Sequence, residues 1–567
     1  MVIAPLEDPP PDEPASGGAA AQGTGGTGAQ GTGGSSEGGA GDGGAGDAGN
    51  TGGTSGAATG GTAGSAGTGG ATGECTTNAE CVERALGEPY RCRPSDHTCV
   101  PLKTSECPLA YGDAADPNAI FFGAFATLNP NQPDVSTVVW SHRLALDELS
   151  GDAVGGLPGG PDDARRPLVM VVCNNHADYV EESVRHLAED LEVPAMLATL
   201  LPGDFRRAFE TYRDREIFFL GPVAASRTLV ELDDDDLIWN LLGQPSDLAP
   251  AYNELLGLVE DYIRATRSEV ATRGFVKVAL VTTTDAYNLE LNSYVEPALR
   301  FNGTTAMANR ATDRYLSLSL DPENPVIDDV VLDLLEFEPD IVISVAGEQF
   351  TRPSGIAETI DLQWGTSTMA RPYFILSPFN AGNLSALWDF IEVEAWGDTR
   401  TDPLAYRRYV GVSVAGAEDP TLQNQYATRL LTRFGSASPD TGNYYDAVYF
   451  LAYAIYAAGN VDPLTGADIA RGMRRLLDGQ ALGVGPMEIS DVFSALEDTD
   501  STIELYGTLG PPDFNPDTGT KYAVGSVFCF AEASEEAVLH VDVLRYDREL
   551  GNFGADEVFP CYSGFYP

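Results

Sequence analysis

Strand–helix units of one length and character follow one another from about Ile120 to Val345. The clearest runs from Val276 to Gly303. In it an apolar strand, Lys277–Thr282, enters a small polar loop, then an amphipathic helix, then Asn302-Gly303 as a stop. Alternation of this kind builds a parallel sheet covered by helices on both faces, with its ligand crevice at the carboxyl ends of the strands. It implies a binding site before it implies an enzyme.

The first 73 residues cannot join such a fold. From Ala15 to Gly73 there is no Leu, Ile, Val, Phe, Tyr, Trp or Met, so nothing offsets the entropy of ordering the chain. Rich in Gly, Ala, Thr and Ser, this stretch reads as a flexible tether of about 40 Å mean span. Such a tether holds a lobed domain away from a membrane to which its N-terminus is fixed. The first ten residues, Met1-Val-Ile-Ala-Pro-Leu-Glu-Asp-Pro-Pro, show neither the basic nor the apolar region of an export signal. About 460 residues follow the cysteine cluster, too many for one core and comfortable for two lobes.

The formal charge is −51, and residues 1–74 hold eight acids and no bases, which leaves −43 for the rest. Nucleic acid and anionic membrane faces are therefore excluded as partners, since both want clustered Lys and Arg. The Asp233–Asp236 run lacks the spacing of an EF-hand loop and reads as a solvated loop. No metal site and no cofactor is expected.

Eight cysteines are present. Cys75, Cys81, Cys92, Cys99 and Cys107 lie close together, without the C-x2-C spacing of a zinc ribbon. A small segment with few apolar residues needs covalent closure, so disulfides are the better reading. Two bridges are expected among Cys75, Cys81, Cys92 and Cys99, in any of three pairings, with Cys107–Cys173 and Cys529–Cys561 stapling the main body. The compartment is then oxidising: periplasm or cell envelope.

Several stretches, in order, look like signposts of one family. Leu144-Ala-Leu-Asp-Glu-Leu with Gly155-Gly-Leu-Pro-Gly-Gly160 looks like its first helix and loop, and Phe219-Leu-Gly-Pro-Val-Ala-Ala-Ser226 like its crevice loop. Asp285-Ala-Tyr-Asn, Tyr444-Tyr-Asp-Ala-Val-Tyr and the Gly507–Gly519 hairpin follow. Together they resemble the type I periplasmic binding proteins, especially the branched-chain amino-acid-binding receptors of ABC transporters. The resemblance implies two doubly wound α/β lobes joined by three crossovers, near Gln244–Asp247, Ser377–Asn380 and Ser501–Tyr506. The expected division is a tether over 1–73, a Cys-rich segment over 74–108 and a bilobed domain over 109–567. Lobe one would take about 118–245 and 380–503, lobe two about 246–379 and 504–567.

It also implies a small ligand, amino-acid or amide-like, trapped as the lobes close, and no bond-making chemistry. By family position lobe one would offer Leu201, Gly203, Ala224, Ala225 and Ser226, where free amides favour a carboxylate. Lobe two would offer Tyr287 as a wall, Asp285 beside it and Glu348 as the ammonium acceptor. Leu201-Pro202-Gly203 departs from the family's usual Ser, and Pro202 cannot donate, so part of the carboxylate clamp is missing. The partner is either an ABC permease or, with the same fold, a membrane sensor. No Gly-x-Ser-x-Gly elbow, His-Glu-x-x-His helix or Walker loop occurs. Two local expectations complete the reading: Pro297 kinks its helix, and Asp178 with Glu181 forms a capping box.

Overall fold

The computed structural model describes residues 75–151, 153–159, 164–224, 226–364, 370–381, 387, 389–391, 405–436, 441–533, 536–554 and 561. The expected tether lies outside them. The described residues form two α/β lobes, each around its own sheet.

In lobe one the parallel strands lie in the order Leu168–Asn174, Ile120–Ala126, Ala195–Leu197, Phe218–Ala224, Ile238–Leu242. Numbered along the chain this is 2-1-3-4-5, the doubly wound order whose switch point lies between strands one and three. Every residue of Ile120–Ala126 is buried, as expected of a strand covered on both faces. Leu109–Tyr111 adds an antiparallel edge, and Thr520–Lys521 joins Ile238–Leu242 at the other side. One face packs on helices Thr137–Ser150, Gly442–Ala457 and Gly466–Met473, the other on Ala177–Arg185 and Pro202–Tyr212.

Lobe two repeats the scheme. Its parallel strands run Tyr315–Leu320, Val278–Thr283, Ile341–Val345, Tyr373–Leu376, Tyr409–Val414, again 2-1-3-4-5. Gly525–Ala533 and Glu536–Arg545 extend it antiparallel. Helices Ala249–Thr266 and Ala286–Ala298 cover one face, Ile327–Phe337 and Ile356–Trp364 the other.

The chain passes between lobes three times, and only the first passage, after Leu242, matches the expected positions. The strand Tyr409–Val414 still belongs to lobe two, so the second crossover is not at Ser377–Asn380 but at Ala415–Pro420. The third is not at Ser501–Tyr506. Ile503–Tyr506 pairs with Gln480–Gly483, and the Phe514–Lys521 hairpin closes the lobe-one sheet, so the chain crosses at Tyr522–Val524. Lobe one thus keeps 421–521 and lobe two 249–414, where 380–503 and 246–379 were expected. Sheet membership is decided by nonlocal hydrogen bonds, which strand periodicity does not report.

Ahead of lobe one sits the knot: helix Asn78–Arg84 and the hairpin Tyr90–Cys92/Cys99–Pro101. Its bridges are Cys75–Cys92 and Cys81–Cys99, while Cys107–Cys173 and Cys529–Cys561 fasten lobes one and two. Arg91 lies over the Phe121 ring at 4.6 Å and donates to the Leu191 carbonyl. Burial pulls its guanidinium down to about 10. The Ser95 N–H donates to Glu192 at 3.1 Å, so the knot is docked on lobe one as well as tied to it.

Two local expectations change. Pro297 is the penultimate residue of its helix and ends it instead of kinking it. His176, not Asp178, caps its helix, with Nδ1 accepting from the Asp178 N–H at 3.4 Å. The Asp178–Glu181 pair lies inside the first turns.

Candidate functional site

The two sheets present their carboxyl ends to each other, because loops leaving those ends touch. The Arg227 N–H of lobe one donates to Glu290 Oε1 of lobe two at 2.6 Å. Arg227 follows the fourth strand of its sheet and Glu290 lies on the helix after the first strand of the other. The contact thus joins loops at the carboxyl ends of the two sheets.

On the lobe-two side, Asp285 caps helix Ala286–Ala298. Its Oδ1 accepts from the Asn288 N–H at 3.0 Å, and its Oδ2 from Thr283 Oγ1 at 2.6 Å and Asn288 Nδ2 at 2.9 Å. Burial raises its pKa, but these donors outweigh burial and the net shift is downward. Asp285 is therefore a helix cap whose oxygens are already engaged. Tyr287, two residues on, meets Phe379 edge to face at 4.7 Å, and burial, then Glu290, push its hydroxyl up to about 12. Glu348 follows the third strand, opens the short helix Glu348–Thr351 and is exposed. Behind these loops Asn380 ties two strand ends together. Its Oδ1 accepts from Ser344 Oγ at 2.8 Å and the Ser377 N–H at 3.0 Å, and its Nδ2 donates to the Ala346 and Gly347 carbonyls.

On the lobe-one side, Leu201 caps helix Pro202–Tyr212 and is 68% exposed, an apolar group at the third strand's end. Gly203, in the first turn, has open space where a Cβ would stand. Ala224 ends strand Phe218–Ala224, and Ala225 lies outside the described residues. Ser226 precedes helix Arg227–Val230 but is buried, its hydroxyl paired with Thr228 Oγ1 at 2.8 Å. That hydroxyl serves its own turn. The Arg227 guanidinium is given to Glu231 at 2.6 Å.

The hinge has clasps that sequence reasoning did not find. Asp247 accepts from the Gln244 N–H at 3.0 Å and the Ala523 N–H at 3.1 Å, binding the first crossover to the third. Arg545 Nη2 donates to the Gly416 and Ala417 carbonyls at 2.9 and 3.0 Å, binding lobe two to the second. Asp446, in the Tyr444-Tyr-Asp-Ala-Val motif, accepts from the Thr508 N–H at 2.8 Å and Thr508 Oγ1 at 2.9 Å. It anchors the segment leading to the third crossover. Burial pushes its carboxyl up to about 6. A cavity of about 1240 Å³ lies beside the hinge, lined by parts of all three crossovers, among them Gly243, Ala415 and Ala523. It is not at the switch points.

Phe379 and Glu290 were also missed. Phe379 stands in Ser377-Pro-Phe-Asn, directly after a strand of the series, and that position was its signal. Assigning those residues to a crossover hid it. Glu290 falls one helical turn after Tyr287, on the same face.

The Asp233–Asp236 run is held by arginines. Arg213 reaches Asp235 at 3.1 Å and Asp233 at 3.8 Å, Arg474 reaches Asp236 at 2.6 Å, and Asp234 caps the turn through the Asp236 and Ile238 N–H groups. Cys75, Cys81 and Cys92 gather as metal ligands might, but all three sulfurs are in disulfides.

The sequence matches no family model and no curated protein. Similar solved structures are solute-binding proteins of ABC transporters. A substrate-binding protein from Desulfitobacterium hafniense in complex with Leu is 14% identical, covering 74% of this chain and 100% of its own, at a TM-score of 0.47. LivJ from Streptococcus pneumoniae in complex with isoleucine is 11% identical, over 75% of this chain and 99% of its own, at 0.48. A solute-binding protein from Rhodopseudomonas palustris in complex with 3,4-dihydroxybenzoic acid is 11% identical, over 75% and 96%, also at 0.48.

Proposed function

We propose that this chain is an extracytoplasmic solute-binding receptor that traps a small molecule between its lobes and presents it to an ABC permease. One observation supports the reading: two sheets of the same 2-1-3-4-5 order have loops from their carboxyl ends in contact across the lobes. Open α/β sheets bind ligands at that end, beside the switch point, and a site shared by two lobes on three crossovers rewards closure. The reading includes no bond-making step: the ligand leaves as it arrived.

The lining suggests the ligand's chemistry. Tyr287 and Phe379 form an aromatic corner, Leu201 an apolar opposite wall, and Glu348 an exposed acceptor for an ammonium or amide N–H. An amino-acid- or amide-like molecule with an apolar side chain fits these groups. All eight cysteines are paired, which suits an oxidising compartment. Among the described residues no helix is long and apolar enough to cross a membrane.

A thermal-shift screen of amino acids and their amides tests the reading. A ligand at 100 times its Kd adds about 2.7 kcal/mol of stability, and small-angle scattering should show contraction on binding. A panel without one stabilising compound would refute the proposed ligand class.

A further inference from the structure

We propose that Glu290 decides which charge the cleft accepts, by seating its own carboxylate on the lobe-one crevice loop. The inference rests on the cleft reading above and narrows it. Glu290 Oε1 takes the Arg227 N–H at 2.6 Å, the first amide after the buried Ser226 and one that faces the opposite lobe. The Arg227 guanidinium, whose Nε is bonded to Glu231 Oε1 at 2.6 Å, acts on that carboxylate only at longer range, and there Glu231 opposes it. Asp285, the cap of the helix that carries Glu290, is saturated by Thr283 and Asn288 and so fixes where that helix begins.

A ligand carboxylate arriving at this loop meets a carboxylate already there and stands like charge against like charge. The neighbouring lobe-one loop offers little in exchange. Its helix begins at Pro202, which has no N–H to donate. Two unrelated features, an occupied amide and a missing one, thus disfavour a free carboxylate on the lobe-one side. A ligand that ends there in a carboxamide or an ammonium meets no such repulsion. The same contact bridges the lobes and holds the cleft together before any ligand enters.

The test uses the full chain and a matched pair of probes, L-leucine and L-leucinamide, titrated by calorimetry. Wild type should bind leucinamide at least tenfold more tightly than leucine. In Glu290→Ala the ratio should shift at least tenfold toward leucine. In Glu290→Gln, which keeps an acceptor for the Arg227 N–H but loses the charge, it should shift part of the way. Each variant changes the large net charge by one, so nonspecific attraction for the cationic amide is common to all three proteins. An unchanged ratio, or a wild type that prefers leucine, overturns the proposal.

If neither probe binds any of the three, the proposed ligand class has failed, and Glu290 is judged by a second measurement. Dyes placed through Glu210→Cys on lobe one and Met307→Cys on lobe two report the lobe separation without ligand. Glu290→Ala should raise the separated population, and an unaltered distance overturns the role given to Glu290.

Discussion

The lobes meet in two places, at the crossovers and at the Arg227–Glu290 contact, and the two are built differently. At the hinge three stretches of backbone pass between lobes, clasped to each other and to lobe two by Asp247 and Arg545. At the other contact the link centres on Arg227, whose N–H meets the Glu290 carboxylate and whose side chain also interacts with Tyr294 of lobe two. A covalent, clasped end keeps its geometry while a hydrogen-bonded end opens and closes. On the proposed reading, that asymmetry is what would let two lobes work as a receptor. It also predicts that substitutions at the hinge change stability, while those at the other contact change binding.

The sharpest way to break the comparison is Gly243. A Cβ there would lie 2.1 Å from the Ala523 N and 2.7 Å from Asp247 Oδ2. Gly243→Val should cost at least about 3 kcal/mol through overpacking of the crossovers, read as a fall in denaturant midpoint. A cost under about 1 kcal/mol would mean that the hinge is loosely packed.

Asp446 comes next. Its folded pKa, about 6 against an ordinary 3.8, is raised, so the acid form favours folding. Its contribution is fully present below about pH 4 and is lost as pH rises through 6, a swing of about 3 kcal/mol. Unfolding of wild type and Asp446→Asn between pH 4 and 7 should show a stability difference that changes by that amount. A difference constant with pH would place the carboxyl in a wetter setting than its burial indicates.

Asp247→Ala strips an acceptor from two backbone N–H groups and should cost about 2 kcal/mol. It should also broaden the spread of lobe separations, measured with the same dye pair, and an unchanged spread would remove Asp247 from the hinge. Tyr287→Ala is expected to cost about 2 kcal/mol of stability, since the ring packs both on Phe379 and on the lobe-two core. It should weaken binding of an apolar amino acid or amide at least tenfold. A loss of stability without loss of binding would move the aromatic corner out of the cleft.

Much of this organisation was legible in the chain. The period of strand, loop and helix marked the α/β class, since the pattern is local. The place of Tyr287 just past a strand's carboxyl end was legible because the strand Val278–Thr283 is unambiguous. The place of Leu201 after the third strand was legible for the same reason, and its side chain is exposed. The engagements of Asp285 and Ser226 were not legible. A capping carboxylate and a ligand-binding one have the same sequence signature, and only the positions of Thr283, Asn288 and Thr228 separate them.

The periodic burial of apolar residues was enough, by itself, to determine two sheet-centred lobes, and the cysteines were enough to call for a stapled leader. Both follow from chemistry acting within a few dozen residues. Tertiary structure alone decided where the second and third crossovers fall, which cysteines of the knot pair, and that Glu290 bonds to the opposite lobe. Each of these depends on groups far apart in sequence that come together only after the sheets have formed, and no local propensity encodes such a meeting.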